Sequence, residues 1–177
     1  MTDIIKKPVL DSVESFDVLI NFVNTKLIFR GYSLEQWYNQ IIFPDISVFA
    51  DKEELLKLNR IAINYSEIIY KNTAIAKGTL TSAKAKYTAN TQAYKVNFLD
   101  ALEEANKSGS KKTKPPAEIL DAKAAVHCKT EQQTLVLAEI TYDFWKLQVD
   151  KLQLFNTRLT SMNISIHNDE KYANLNT

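Results

Sequence analysis

The sequence predicts an all-α protein built on a long antiparallel helical hairpin, with short helices before it and an oligomer-forming C-terminal helix. Three observations carry this. The 177 residues contain only three Gly and four Pro, too few for the many tight turns of a sandwich or barrel. From Asp51 to about Lys107 no proline interrupts a stripe of apolar residues spaced by threes and fours, with sevens where Asn72 and Asn90 intervene. A second stretch of this kind follows a polar linker, and two long helices joined by one loop pack as a hairpin. With 45% apolar side chains the chain can bury a core, and it divides into an N-terminal helical appendage, residues 1–50, and a hairpin region, residues 51–177.

In the appendage, DSVESFDVLINFVNTKLIF reads as a helix opening at Asp11 or Ser12, with Val13, Phe16, Leu19, Ile20 and Val23 at helical spacing. The β-branched and aromatic run TKLIF reads alternatively as a short strand. Gly31 breaks the pattern, Ser33 is an N-cap, and LEQWYNQIIF forms a second short helix stopped by Pro44.

The first hairpin helix starts at Asp51, an N-cap followed by Glu53 and Glu54, which place negative charge at the positive end of the helix. A helix from there to Lys107 extends about 85 Å. Its apolar stripe runs through Leu55, Leu58, Ala62, Tyr65, Ile69, Ala76, Leu80, Ala83, Tyr87, Tyr94, Phe98 and Leu102. Gly78 costs about 1 kcal/mol relative to Ala inside a helix, so a break there is the alternative to continuity.

The linker NKSGSKKTKPP reads as a mobile basic loop, and Pro115 and Pro116 open a second helix from about Ala117 to Met162. Its C-terminal part is apolar on two faces. Ile140, Phe144, Leu147 and Leu154 line one; Trp145, Val149, Leu152, Leu159 and Met162 line another. One partner helix cannot cover both, so a second surface is expected, either the appendage or another subunit.

The net charge of +1 hides a basic centre: residues 1–50 carry −2, residues 51–116 carry +5 and residues 117–177 carry −2. Between Glu67 and Asp100 there is no acidic residue, while Lys71, Lys77, Lys84, Lys86 and Lys95 all fall there. A nucleic-acid strand needs distributed positive charge to displace its counterions, and single strands also offer bases that stack on aromatic rings. The window supplies both, since Tyr87 follows Lys86 and Tyr94 precedes Lys95. Lys84 and Tyr87, three apart, share a helical face. Lys111, Lys112 and Lys114 of the linker extend the basic set. The competing reading is a solvated helix face with both tyrosines in the hairpin seam.

Other chemistry is not announced. The sequence has no GxxxxGK[ST], GxGxxG, HExxH, CxxC or GxSxG. His127 beside Cys128 has no further His or Cys to support it as a ligand set, and a single Cys forms no internal disulfide. No catalytic residue, metal or cofactor is expected. MTDIIKKPVLDS lacks an apolar segment after its Lys pair, and no 18 apolar residues run together, so a cytoplasmic protein without a membrane span is expected.

The order of these features over residues 53–172 resembles the recombination mediators of T4-type phages, the UvsY-like family. The resemblance lies in "AKAKYTANTQAY", a polar interruption, and "LAEITYDFWKLQVDKLQLFNTRLTSMNISIHNDEKY". It implies a non-enzymatic helical protein of the infected bacterial cytoplasm that assembles into a ring and binds single-stranded DNA. It also implies help in loading a recombinase onto DNA covered by a single-strand-binding protein. The family's DNA-binding Lys-x-Arg pair falls on Lys84 and Lys86, the second being Lys here, which keeps the charge and loses the planar donor fork. Its oligomerisation element falls on Phe144, Trp145, Leu147, Val149, Leu152, Leu154, Leu159 and Met162. The first fifty residues exceed the resemblance. Two readings from other classes stand beside it: a coiled-coil virion or assembly strut without nucleic-acid affinity, and an adaptor whose exposed stripe takes a different protein.

Overall fold

The computed structural model describes residues 21, 23, 25–47, 50–109 and 112–175, apart from the side chains of residues 169, 170 and 172–175. The expected N-terminal helix from Asp11 or Ser12 lies mostly outside these, although Asn21, Val23, Thr25 and Lys26 are helical. The chain forms two compact units, residues 1–44 and 45–177.

In the first unit the strand reading of TKLIF holds for two residues. Ile28–Phe29 (β1) pairs antiparallel with Tyr32–Ser33 (β2), with Ile28 opposite Ser33 and Phe29 opposite Tyr32. The connecting Arg30 and Gly31 have φ of 52° and 88°, the doubly left-handed turn whose twist matches a two-residue hairpin. Helix α1, Leu34–Gln40, then starts from a capping box: Gln36 N–H donates to Ser33 Oγ and Ser33 N–H donates to Gln36 Oε1. Trp37 anchors the ribbon by donating Nε1–H to the Phe29 carbonyl at 2.8 Å, its ring edge-on to Tyr32. The helix ends at Gln40, earlier than the run to Pro44 suggests. Ile41 and Ile42 are β-branched, and Pro44 drives Phe43 out of the helical region.

The second unit is the hairpin. Helix α2, Lys52–Lys107, spans 56 residues, about 84 Å. Asp51 caps it by accepting from the Glu54 N–H at 2.8 Å, and Lys107 sits in the last turn at the negative end of the helix. Gly78 is helical and its surroundings are open, so the helix runs through it. The return limb departs from the expected single helix 117–162. Helix α3, Ala117–His127, and helix α4, Lys129–Leu175, are separated at Cys128, whose φ of −93° and ψ of 28° interrupt the helix. Neither Pro nor Gly marks that point. Cys128 is 2% exposed at a place where His127 and Glu131 both engage α2, so tertiary contacts set the interruption.

Helix α2 packs against α3 and α4. Phe98 receives the Lys123 ammonium over its ring, Tyr94 stacks on His127, and Asn90 bonds Glu131, a descending order against an ascending one that makes the pair antiparallel. The seam on α2 buries Leu55, Leu58, Ala62, Ile69, Asn72, Ala76 and Ala83. Opposite it, α4 buries Ala138, Thr141, Trp145, Gln148, Leu152, Phe155 and Leu159, spaced three and four apart throughout.

Candidate nucleic-acid interface

The seam fixes where every other residue of α2 points. A residue directly after a buried one falls on one flank of the hairpin, and a residue directly before a buried one falls on the other, because successive side chains turn by about 100°. Lys77 follows Ala76 and Lys84 follows Ala83; being seven apart, they project within about 20° of each other. Lys71 precedes Asn72 and Lys86 precedes Tyr87, so both stand on the opposite flank. Lys84 and Lys86 therefore do not form one contact surface, since residues two apart on a helix do not face each other.

Lys77 and Lys84 border an open groove of about 560 Å³, lined also by Leu80, Thr81, Ala85, Thr88, Ala89 and Tyr142. Tyr142, which follows the buried Thr141, reaches this groove from α4. Among the described residues no carboxylate lines it. Apart from Leu80, Tyr142 and the two lysines its lining side chains are short, with Ala85, Ala89 and the threonine methyls making much of it apolar, so a strand can approach the helix closely while two ammonium groups meet its phosphates; the Thr81 hydroxyl already donates to the Lys77 carbonyl at 2.9 Å. The half-buried phenol supplies a stacking surface. Sequence reasoning missed Tyr142, because its place beside Lys84 depends on a register set across the hairpin.

The remaining predicted residues are dispersed or already engaged. Lys95 forms an ion pair with Asp121 of α3. Tyr94 stacks on His127, ring centroids 4.6 Å apart, and on Phe98 at 6.2 Å, so it closes the hairpin. Tyr87 is half-buried on the seam. Lys112 and Lys114 are exposed in the loop, where Asn106 clamps the Lys112 backbone by accepting from its N–H at 2.7 Å and donating to its carbonyl at 3.0 Å. That loop stands more than about 30 Å along α2 from Lys84. Lys111 lies outside the described residues.

The eight candidate oligomerisation residues also separate. Trp145, Leu152 and Leu159 are buried in the chain's own seam, Phe144, Val149 and Met162 are half-buried, and Leu147 and Leu154 are 51% and 55% exposed. Among the described residues no three His, Cys, Asp or Glu side chains gather as a metal site, and no helix is long and apolar enough to cross a membrane. No family model, curated protein or solved structure matches the chain.

Proposed function

We propose that this chain is a non-enzymatic, homo-oligomeric protein of the phage-infected bacterial cytoplasm that binds single-stranded DNA. In this reading it acts as a recombination mediator, assisting a recombinase on DNA covered by a single-strand-binding protein. The observation that carries the DNA-binding part is the groove in which Lys77, Lys84 and Tyr142 come together with no carboxylate from the described residues in its lining. The recombination role follows from the resemblance of residues 53–172 to the T4-type mediators. Individual grooves hold a strand weakly, and repetition in an oligomer raises the avidity.

The test is a titration with single-stranded DNA at two salt concentrations. Lys77→Ala with Lys84→Ala removes two phosphate contacts and flattens the salt slope by about 1.4. Lys86→Ala, on the other flank, leaves it at the wild-type value. A wild-type slope in the Lys77/Lys84 double variant removes the groove assignment.

A strut with no nucleic-acid affinity is the second reading, favoured by the uninterrupted 56 residues of α2. It requires that the wild-type protein fail to bind single strands even at low salt.

A further inference from the structure

We infer that the bound single strand lies lengthwise on α2 and runs past the groove to Tyr70, a second base-stacking residue that sets a preference for single over double strands. The inference rests on the nucleic-acid reading above and extends its site.

Lys77 and Lys84 belong to a longer row. Tyr70, Ala74, Lys77, Thr81, Lys84 and Thr88 follow one another at alternating steps of four and three, so they share one face of α2, and all six are exposed. Tyr70 and Ala74 lie outside the groove lining, and the Tyr70 side chain is 50% exposed. The row is about 27 Å long. A stacked strand carries a phosphate about every 3.4 Å, so roughly eight fit along it, and the strand that meets Lys84 also reaches Tyr70.

Charge marks both ends of the row. Beyond Tyr70 it continues to Glu67, whose carboxylate repels phosphate, and the heptad positions further on hold Ile63 and Leu56, which carry no charge. Beyond Thr88 it continues through Thr91 to Lys95, whose ammonium is taken by Asp121. Across the hairpin, α4 turns the strand away. Glu139 follows the buried Ala138 and so stands on the groove flank; Asp143 and Asp150, two places after the buried Thr141 and Gln148, stand on the back of α4. Lys146 offsets one of these three charges. The unobstructed path is along α2, which has no carboxylate from Ile68 to Leu99.

Two phenols then serve one strand. The contacts Asn90–Glu131, Tyr94–His127 and Phe98–Lys123 fix a register that sets Tyr142 level with Thr79. Tyr70 is nine residues further along, about 14 Å. Stacking on either ring needs an open base face, which a single strand offers at every position and a duplex only at its ends. The lysines attract the phosphates of both. Selectivity therefore resides in the phenols, and the lysines supply the salt-dependent part.

Fluorescence anisotropy with a labelled oligothymidylate and with a duplex of equal length, each at two salt concentrations, tests this. Each variant is first matched to wild type in helicity by circular dichroism. Tyr70→Ala is expected to weaken single-strand binding about tenfold, with the salt slope and the duplex affinity unchanged. Tyr70→Phe, which keeps the ring, binds as wild type does. Ala74→Glu sets a carboxylate in the row outside the groove and weakens single strands about fivefold. Ser82→Glu, nearer to Lys84 in sequence but directly before the buried Ala83 and so on the other flank, stays near wild type. Wild-type affinity in both Tyr70→Ala and Ala74→Glu, while the Lys77/Lys84 double variant still flattens the slope, overturns the extension and leaves the groove standing. An equal loss on the duplex in Tyr70→Ala overturns the selectivity. A wild-type protein that binds neither probe at low salt overturns the groove reading and this inference with it.

Discussion

Asn90 on α2 donates from Nδ2 to Oε1 of Glu131 on α4 at 2.8 Å, one turn from the point where Tyr94 stacks on His127. Both partners are half-buried, so this bond pins the register of the hairpin just below the interruption at Cys128. Asn90→Ala is expected to cost about 1 kcal/mol in urea unfolding. Asn90→Asp, which sets a second carboxylate against Glu131, costs more at neutral pH. Equal stability of Asn90→Asp and wild type would show that the bond does not form.

Gln148 is 1% exposed, and neither its amide oxygen nor its amide nitrogen has a hydrogen-bond partner among the described residues. Such a group holds back stability, so Gln148→Leu is expected to raise the unfolding free energy by about 1–3 kcal/mol. Polar seam residues also specify register in coiled coils, and the stabilised variant is expected to lose uniqueness, seen as broader amide resonances. A loss of stability in Gln148→Leu contradicts this account.

Gly78 lies within a continuous helix, and a methyl group there meets nothing within 4 Å. Gly78→Ala therefore stabilises the protein by about 0.4–1 kcal/mol through a less flexible unfolded chain. Destabilisation on that substitution would locate a bend at Gly78 in solution.

Tyr142 and Tyr94 are expected to fail in different assays. Tyr142→Ala removes a stacking surface worth about 1–3 kcal/mol per base, a loss of roughly 5- to 150-fold in single-strand affinity. Tyr94→Ala lowers the midpoint of thermal unfolding first, since its ring is packed between His127 and Phe98. Unchanged affinity in Tyr142→Ala removes the tyrosine from the interface.

Much of the fold was written locally. Ser33 and Asp51 each start the helix that their side chains cap, and the apolar stripe from Leu55 to Ala83 contains every buried residue of the α2 seam but Asn72. What stayed hidden was non-local or unmarked. Cys128 interrupts the return limb with no breaker residue, and the Arg30–Gly31 turn folds two residues of a run with equally good helical spacing. The site was half legible. The phase separating Lys84 from Lys86 follows from Ala83 and Tyr87 in the sequence stripe, but pairing Lys84 with Tyr142 needs the hairpin register, which residues nearly sixty positions apart in sequence settle together.

The interruption at Cys128 also gives the protein a built-in reporter of its own breathing. The chain's single thiol lies beneath the junction of α3 and α4, where α3 contributes only Leu120 and Ala124 to the buried set. That apolar anchor is joined by the Lys95–Asp121 ion pair and the Lys123–Phe98 and Tyr94–His127 contacts, and all of them must part before α3 lifts off and uncovers the thiol. A thiol reagent then labels native protein at a rate set by the detachment of α3, well ahead of global unfolding, and the labelling rate tracks any partner that clasps the tip.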